Sequence, residues 1–175
     1  MQVTLSPEQI ASLVKAVTQY IRAQREAYYP RAVPLEFGVP WPRYFAQADL
    51  DRVRVLAPGK ERVQNPPFYA GLEELGFRGL PDFASMAAIT FDDVVAFHDE
   101  MTPQLIFHEL VHVTQYRLLG IDEFARLYVR GYLHGGYDGT PLEVNAYNLD
   151  GRFIMGGEGF DVEAEVRGWI QKGLF

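Results

Sequence analysis

The sequence predicts an α+β fold, with several helices around a small mixed or antiparallel sheet and one apolar helix buried at the centre. Three observations predict it. Apolar residues recur at helical spacing near both ends, through Ile10, Leu13, Val14, Val17, Tyr20 and Ile21, and again through Val162, Val166, Trp169 and Ile170. Two short β-rich runs, Ala88–Phe91 and Val94–Phe97, flank the polar pair Asp92-Asp93 in the manner of a hairpin. Between Thr102 and Gly120 the chain shows little polar surface apart from one face of histidine and glutamate. At 175 residues a single domain spanning 1–175 is expected, large enough to bury roughly 70% of its unfolded surface.

Ser6-Pro7-Glu8-Gln9 combines a capping box with proline in the first turn, so a helix is predicted over 6–28, serving as scaffold. Residues 29–48 hold Pro30, Pro34, Pro40 and Pro42 among Tyr, Phe and Trp41. Proline's missing N–H and locked φ exclude a helix interior or a central strand there, leaving an irregular aromatic wrap. The core, about 50–155, begins with Arg52–Leu56, which alternates as a short strand and closes at Pro58-Gly59. Phe68–Leu75 reads as a short helix ended by Gly76, and His98, at the end of the hairpin, as a surface histidine. Thr102 and Pro103 can start the central helix and Gly120 can end it. Asp122 is placed to cap a further helix reaching Leu133, and the glycine-rich His134–Thr140 reads as a mobile loop. Thr140-Pro141-Leu142-Glu143 opens the next helix, Gly156-Gly157-Glu158-Gly159 breaks it, and 160–172 forms the last.

The chemistry lies at His108-Glu109-Leu110-Val111-His112. On a helix, positions i and i+4 sit about 40° apart, so His108 and His112 lean over one face and can share a zinc ion. Glu109 stands about 100° from His108, beside the metal position, where a general base can take a proton from water. The pattern is expected by chance roughly 0.005 times per shuffled chain of this composition, and its buried setting is costly for three ionisable groups unless they are paired or bound to metal.

This stretch, extended to His-Glu-Leu-Val-His-Val-Thr-Gln115, resembles the zincin metallopeptidases, in particular small single-domain bacterial members, with the resemblance carried by residues 87–150. It implies a zincin-like domain that cleaves peptide bonds with zinc and a glutamate base. It also implies that a strand at a sheet edge just upstream of the helix pairs with extended substrate; Val94–Phe97 is a candidate, with an ordinary sheet strand as the alternative. Catalytic zinc takes three protein ligands. Glu143, on a separate helix about thirty residues past His112, resembles the third ligand of the gluzincin branch. Asp138 and His134 are competing ligands, and Glu143 could instead complete a capping box with Thr140. Small Ala146 lets that helix approach, and Tyr147 and Asp150 share Glu143's face. Tyr147 is the candidate donor to a developing oxyanion, with Tyr137 and His134 as alternatives. Gln115, on the histidine face, is either a partner of a ligand or a polar residue of the cleft wall.

Composition narrows the partners. A net charge of −7 without a basic stripe argues against nucleic acid. The absence of cysteine leaves only histidine and carboxylate to bind zinc. No apolar run approaches twenty residues and the N-terminus shows no basic start or apolar leader, so a cytoplasmic protein without membrane contact is expected, acting on a peptide or protein substrate. Two rivals stand beside the peptidase: a zinc-stabilised binding or structural domain without turnover, and a hydrolase of non-peptide amides or esters.

Overall fold

The computed structural model describes residues 5–36, 39–59 and 61–175. The reading of the extreme N-terminus as free of a leader, and the part of the irregular wrap at 37–38, fall outside the described residues. Among the described residues the fold is α+β, with seven α-helices and a four-stranded mixed sheet.

Helix α1 (Pro7–Tyr28) starts as its capping box dictates: Gln9 N–H donates to Ser6 Oγ at 3.3 Å, and Ser6 N–H donates to Gln9 Oε1 at 2.8 Å. The proline-rich wrap that follows yields two 3-10 turns and the two-residue strand β1 (Val33–Pro34), which lies at a sheet edge where proline is tolerated. The sequence missed the next element, helix α2 (Gln47–Arg52), and assigned Arg52 to a strand. Strand β2 begins two residues later, as Arg54–Leu56. Helix α2 has no side-chain cap, and it is held by burying Asp49 and Leu50, which no local signal reveals. Helix α3 (Tyr69–Glu74) is followed by Gly76 at φ 97°.

Strands β3 (Ala88–Phe91) and β4 (Val94–Phe97) form the expected antiparallel hairpin, with Phe91 opposite Val94 and Asp92 at φ 58° in the turn. The sheet order is β1-β2-β4-β3, with β2 and β4 parallel. Val94–Phe97 is therefore an interior strand, and the edge belongs to Ala88–Phe91. Successive side chains of β4 point to opposite faces: Val95 and Phe97 enter one core with Phe107, Leu110 and Val111, while Val94 and Ala96 enter another with Tyr20, Ile21 and Tyr116. Burial on both faces explains why β4 reads as an unbroken apolar run. His98 is buried rather than on the surface. It accepts from Val63 N–H through Nε2 at 2.9 Å and donates through Nδ1 to the Met86 carbonyl at 2.8 Å, tying the hairpin to the chain before α3.

Helix α4 (Pro103–Leu119) runs between the two cores, with Thr102 accepting from Leu105 N–H at 3.2 Å and Gly120 ending it at φ 77°. Gly120 also precedes α5 (Ile121–Gly135), so Asp122 is not its cap; Asp122 lies exposed and pairs with Arg22 of α1 at 2.9 Å. Helix α5 extends past Leu133 through His134, leaving only a turn over 136–139. Helix α6 (Pro141–Met155) packs along α4, and α7 (Val162–Gln171), capped by Asp161, closes the fold. Among the described residues no helix is long and apolar enough to cross a membrane.

Candidate metal centre

Two helices build the centre. Helix α4 presents His108, Glu109 and His112, and α6 presents Glu143 and Asp150. Ala146, fully buried on α6, allows the two backbones to come close. His108 Nε2 lies 3.2 Å from His112 Nε2, and each lies 3.4 Å from Glu143 Oε2. All three side chains are buried, and together they form a group that could hold a metal ion.

Hydrogen bonds behind the ligands decide how they point. His108 Nδ1 donates to Asp150 Oδ2 at 2.8 Å, and His112 Nδ1 donates to Gln115 Oε1 at 2.9 Å. Gln115 Nε2 donates to the Leu142 carbonyl and to Asn145 Oδ1, so its oxygen must face His112 and the proton belongs on His112 Nδ1. Both Nε2 lone pairs then point at the same place as Glu143 Oε2, a buried oxygen with no hydrogen-bond partner among the described residues. Three Lewis-basic atoms this close repel one another unless a cation lies between them, so the residues present fit a metal.

The same geometry governs protonation without metal. Burial pushes the His108 imidazole down, but Asp150, Glu143 and Glu109 outweigh it and raise its pKa to about 10. His112 is raised as well, against its burial, chiefly by the Glu143 charge. Burial pushes the Glu143 carboxyl up, and the two imidazoles overcome this and hold it well below the usual carboxylate range. A metal-free centre therefore keeps a proton where a metal would sit.

Glu109 lies beside the group, 5% exposed. Its Oε2 accepts from Thr90 Oγ1 at 2.7 Å, and its Oε1 makes no hydrogen bond among the described residues. Tyr147 is half exposed, with its ring 4.7 Å from that of His108. A cavity of about 110 Å³ reaches Glu109, His112 and Glu143 from the side of α1, α3 and the β3 edge.

The competing ligands fall outside this group. Asp138 and His134 are exposed, and His134 Nδ1 donates to the Arg130 carbonyl of its own helix. The capping box at Thr140 does not form: its hydroxyl donates to the Gly136 carbonyl at 3.0 Å and makes no cap, which frees Glu143 to point inward. Tyr137 lies at the cavity wall. Gln115 accepts from His112 Nδ1 and so lies behind the candidate metal group. The sequence did not reveal Asp150 as the partner of His108, although its position seven residues after Glu143 placed it on the right face. Thr90 carried no signal at all. A further network missed in the sequence anchors the far side of α4, where the fully buried Asp49 accepts from Thr114 Oγ1 at 2.8 Å and from the Arg117 guanidinium.

Comparisons with protein-family models, curated proteins and solved structures find no match to this chain. The functional reading rests on the centre itself.

Proposed function

We propose that the chain is a zinc-dependent hydrolase, and specifically a zincin-like metallopeptidase. The observation that carries the reading is the convergence of two imidazole nitrogens and an unpartnered carboxylate oxygen beside a second, separately held carboxylate. Two nitrogens and one oxygen suit zinc with a fourth position left open, whereas calcium and magnesium favour oxygen throughout. His108, His112 and Glu143 would hold the ion. Bound there, zinc would supply Lewis acidity, polarising a substrate carbonyl and acidifying water.

The remaining work falls to the protein. Asp150 and Gln115 fix the imidazole tautomers and aim both Nε2 atoms inward. Thr90 holds one oxygen of Glu109, so the carboxylate keeps one orientation and one acceptor free. Glu109 Oε1 receives the proton of the attacking water and returns it to the leaving amine nitrogen. Tyr147, whose ring lies 4.7 Å from that of His108, is the candidate donor to the oxygen on which charge develops, with Tyr137 at the cavity wall as the alternative. A metal used only to staple the fold needs neither Glu109 held beside it nor a cavity leading to it, and both features favour the hydrolase over the structural rival.

The test is metal content together with turnover of a peptide library. Purified protein should carry one zinc per chain and cleave library members. Removal of zinc should abolish cleavage and its return restore it. Protein with stoichiometric zinc and no cleavage would support the structural rival; cleavage of esters or small amides but not of peptides would support the non-peptide hydrolase.

A further inference from the structure

We infer that residues 66–81 form a lid over the metal centre, which swings outward before a substrate reaches it. That a substrate enters rests on the hydrolase reading, but the independent motion of the lid does not. The cavity of about 110 Å³ touches three of the centre's four groups, Glu109, His112 and Glu143. Pockets that hold small ligands run to roughly 300–1,000 Å³, so a peptide does not fit while every wall stays in place. One wall has to move.

The walls from α1, α4, α5 and β3 are fixed, because each sends buried side chains into one core: Tyr20 and Ile21, Tyr116, Phe124, and Phe91. The wall made by Phe68, Tyr69, Leu72 and Leu80 differs, for no residue from 67 to 81 is buried. The hydrogen bonds divide at the same place. Val63 N–H donates to His98, the Gln64 carbonyl accepts from the Tyr20 hydroxyl at 2.7 Å, and the Ala84 carbonyl accepts from Arg62 at 3.0 Å. The chain is therefore held on both sides of the segment. Asn65 closes the neck: its Nδ2 donates to Asp82 Oδ1 at 3.1 Å, and its Oδ1 accepts from Phe83 N–H at 2.7 Å. Within 66–81 the backbone bonds to itself, as from Tyr69 N–H to the Pro66 carbonyl and from Phe77 N–H to the Leu72 carbonyl. Among the described residues, its one hydrogen bond beyond the neck is the long 3.5 Å contact of the Tyr132 hydroxyl with the Gly79 carbonyl.

A segment with its ends tied together and its hydrogen bonds internal has the form of an Ω-loop, and it can move as one piece. Its hold on the body is apolar: Phe68 meets Tyr20 edge-on at 6.1 Å and 88°. Lifting it exposes apolar surface in proportion to area but strands no buried donor or acceptor, which would be the costlier loss. The segment thus opens at less cost than any other wall of the cavity, and it stands on the approach to Glu109.

The chain has no cysteine, so nitroxide labels at Lys15→Cys on α1 and Glu74→Cys on α3, both exposed, read the position of the lid. The probe is a trialanine hydroxamate, a peptide with a zinc-binding end, added to the zinc-loaded protein. The distance between the labels should lengthen when it binds. Backbone hydrogen exchange reads the same motion without any ligand. The amides of 68–80 should exchange as a block, at least about tenfold faster than those of α1 and α5. Phe68→Ala, which removes the hold on Tyr20, should speed that block by about tenfold more and lengthen the distance in the free protein, with α1 and α5 unchanged. Hydroxamate bound at an unchanged distance overturns the inference. So does exchange of 68–80 no faster than that of α1 and α5, or a folded Phe68→Ala protein that behaves as wild type. A hydroxamate that does not bind would sink the hydrolase reading, and the lid then stands or falls on exchange in wild type and Phe68→Ala.

Discussion

Glu143 is the side chain on which the centre closes, because its Oε2 is buried, charged and without a hydrogen-bond partner among the described residues. Such an oxygen is costly to bury unless a cation meets it. Replacing it by an amide of the same shape tests that directly. Glu143→Gln should weaken zinc binding by more than about 100-fold, exceeding the roughly 10- to 100-fold loss typical of partners behind the ligands. Asp150→Asn, which alters only the hydrogen bond that orients His108, should fall within that smaller range. Asp138→Asn and His134→Ala, both exposed and outside the group, should leave affinity unchanged. Chelator-competition titrations rank the four. Normal affinity in Glu143→Gln would remove this residue from the ligand set.

At the scale of elements, α4 is a beam fixed on both sides. Asp49 and Arg117 anchor one flank, and α6 lies along the flank that carries the ligands. Where α6 starts is set in part by Gly131 on α5: a Cβ there would come within 2.7 Å of Pro141 Cδ and 3.2 Å of Thr140 Cα. Gly131→Ala should therefore be destabilising, because overpacking costs about 1–3 kcal/mol against roughly 1 kcal/mol gained by removing glycine from a helix interior. Thermal melts measure the balance, and zinc affinity should fall with it as the start of α6 is displaced. A melting temperature at or above wild type would mean that the contact relaxes freely. The ends of α1, α4 and α7 were legible because Ser6, Thr102 and Asp161 act locally as caps and Gly120 takes a conformation that other residues resist. Helix α2 and the interior place of β4 were not, since both follow from what packs against them. His98 misled for the same reason: its partners, Val63 and Met86, lie 35 and 12 residues away.

For the whole molecule, metal binding and stability are coupled with a sign that depends on pH. In the metal-free protein His108 is raised from 6.5 to about 10, so its contribution is complete below about 6.5 and is lost as pH climbs toward 10. Glu143 is lowered from 4.5, so its contribution is present above about 4.5 and is lost as pH falls below that. Metal-free protein should therefore draw most stability from this centre between about pH 4.5 and 6.5. Zinc requires the imidazoles unprotonated, so its stabilisation runs the other way. The rise in melting temperature on adding zinc should grow from pH 5 to pH 8 at fixed free zinc. A rise that is constant, or that shrinks with pH, would mean the ion binds away from these histidines. The histidine pair was readable because helical spacing places i and i+4 together, and Glu143 because the gluzincin resemblance implied a glutamate from a second helix. Their supporting partners were not, because Thr90 and Asp150 meet their targets only across the folded sheet edge and the α4–α6 contact.

A metal and a general base are proposed to act together at this centre, and Glu109→Gln separates them most directly. The substitution keeps the shape and the acceptor for Thr90 while removing the group that carries the proton. Zinc content and peptide turnover are measured side by side on wild type and variant. Both proteins should carry one zinc per chain, and the variant should lose at least about 100-fold in kcat. Wild-type turnover in a zinc-loaded Glu109→Gln protein would contradict it.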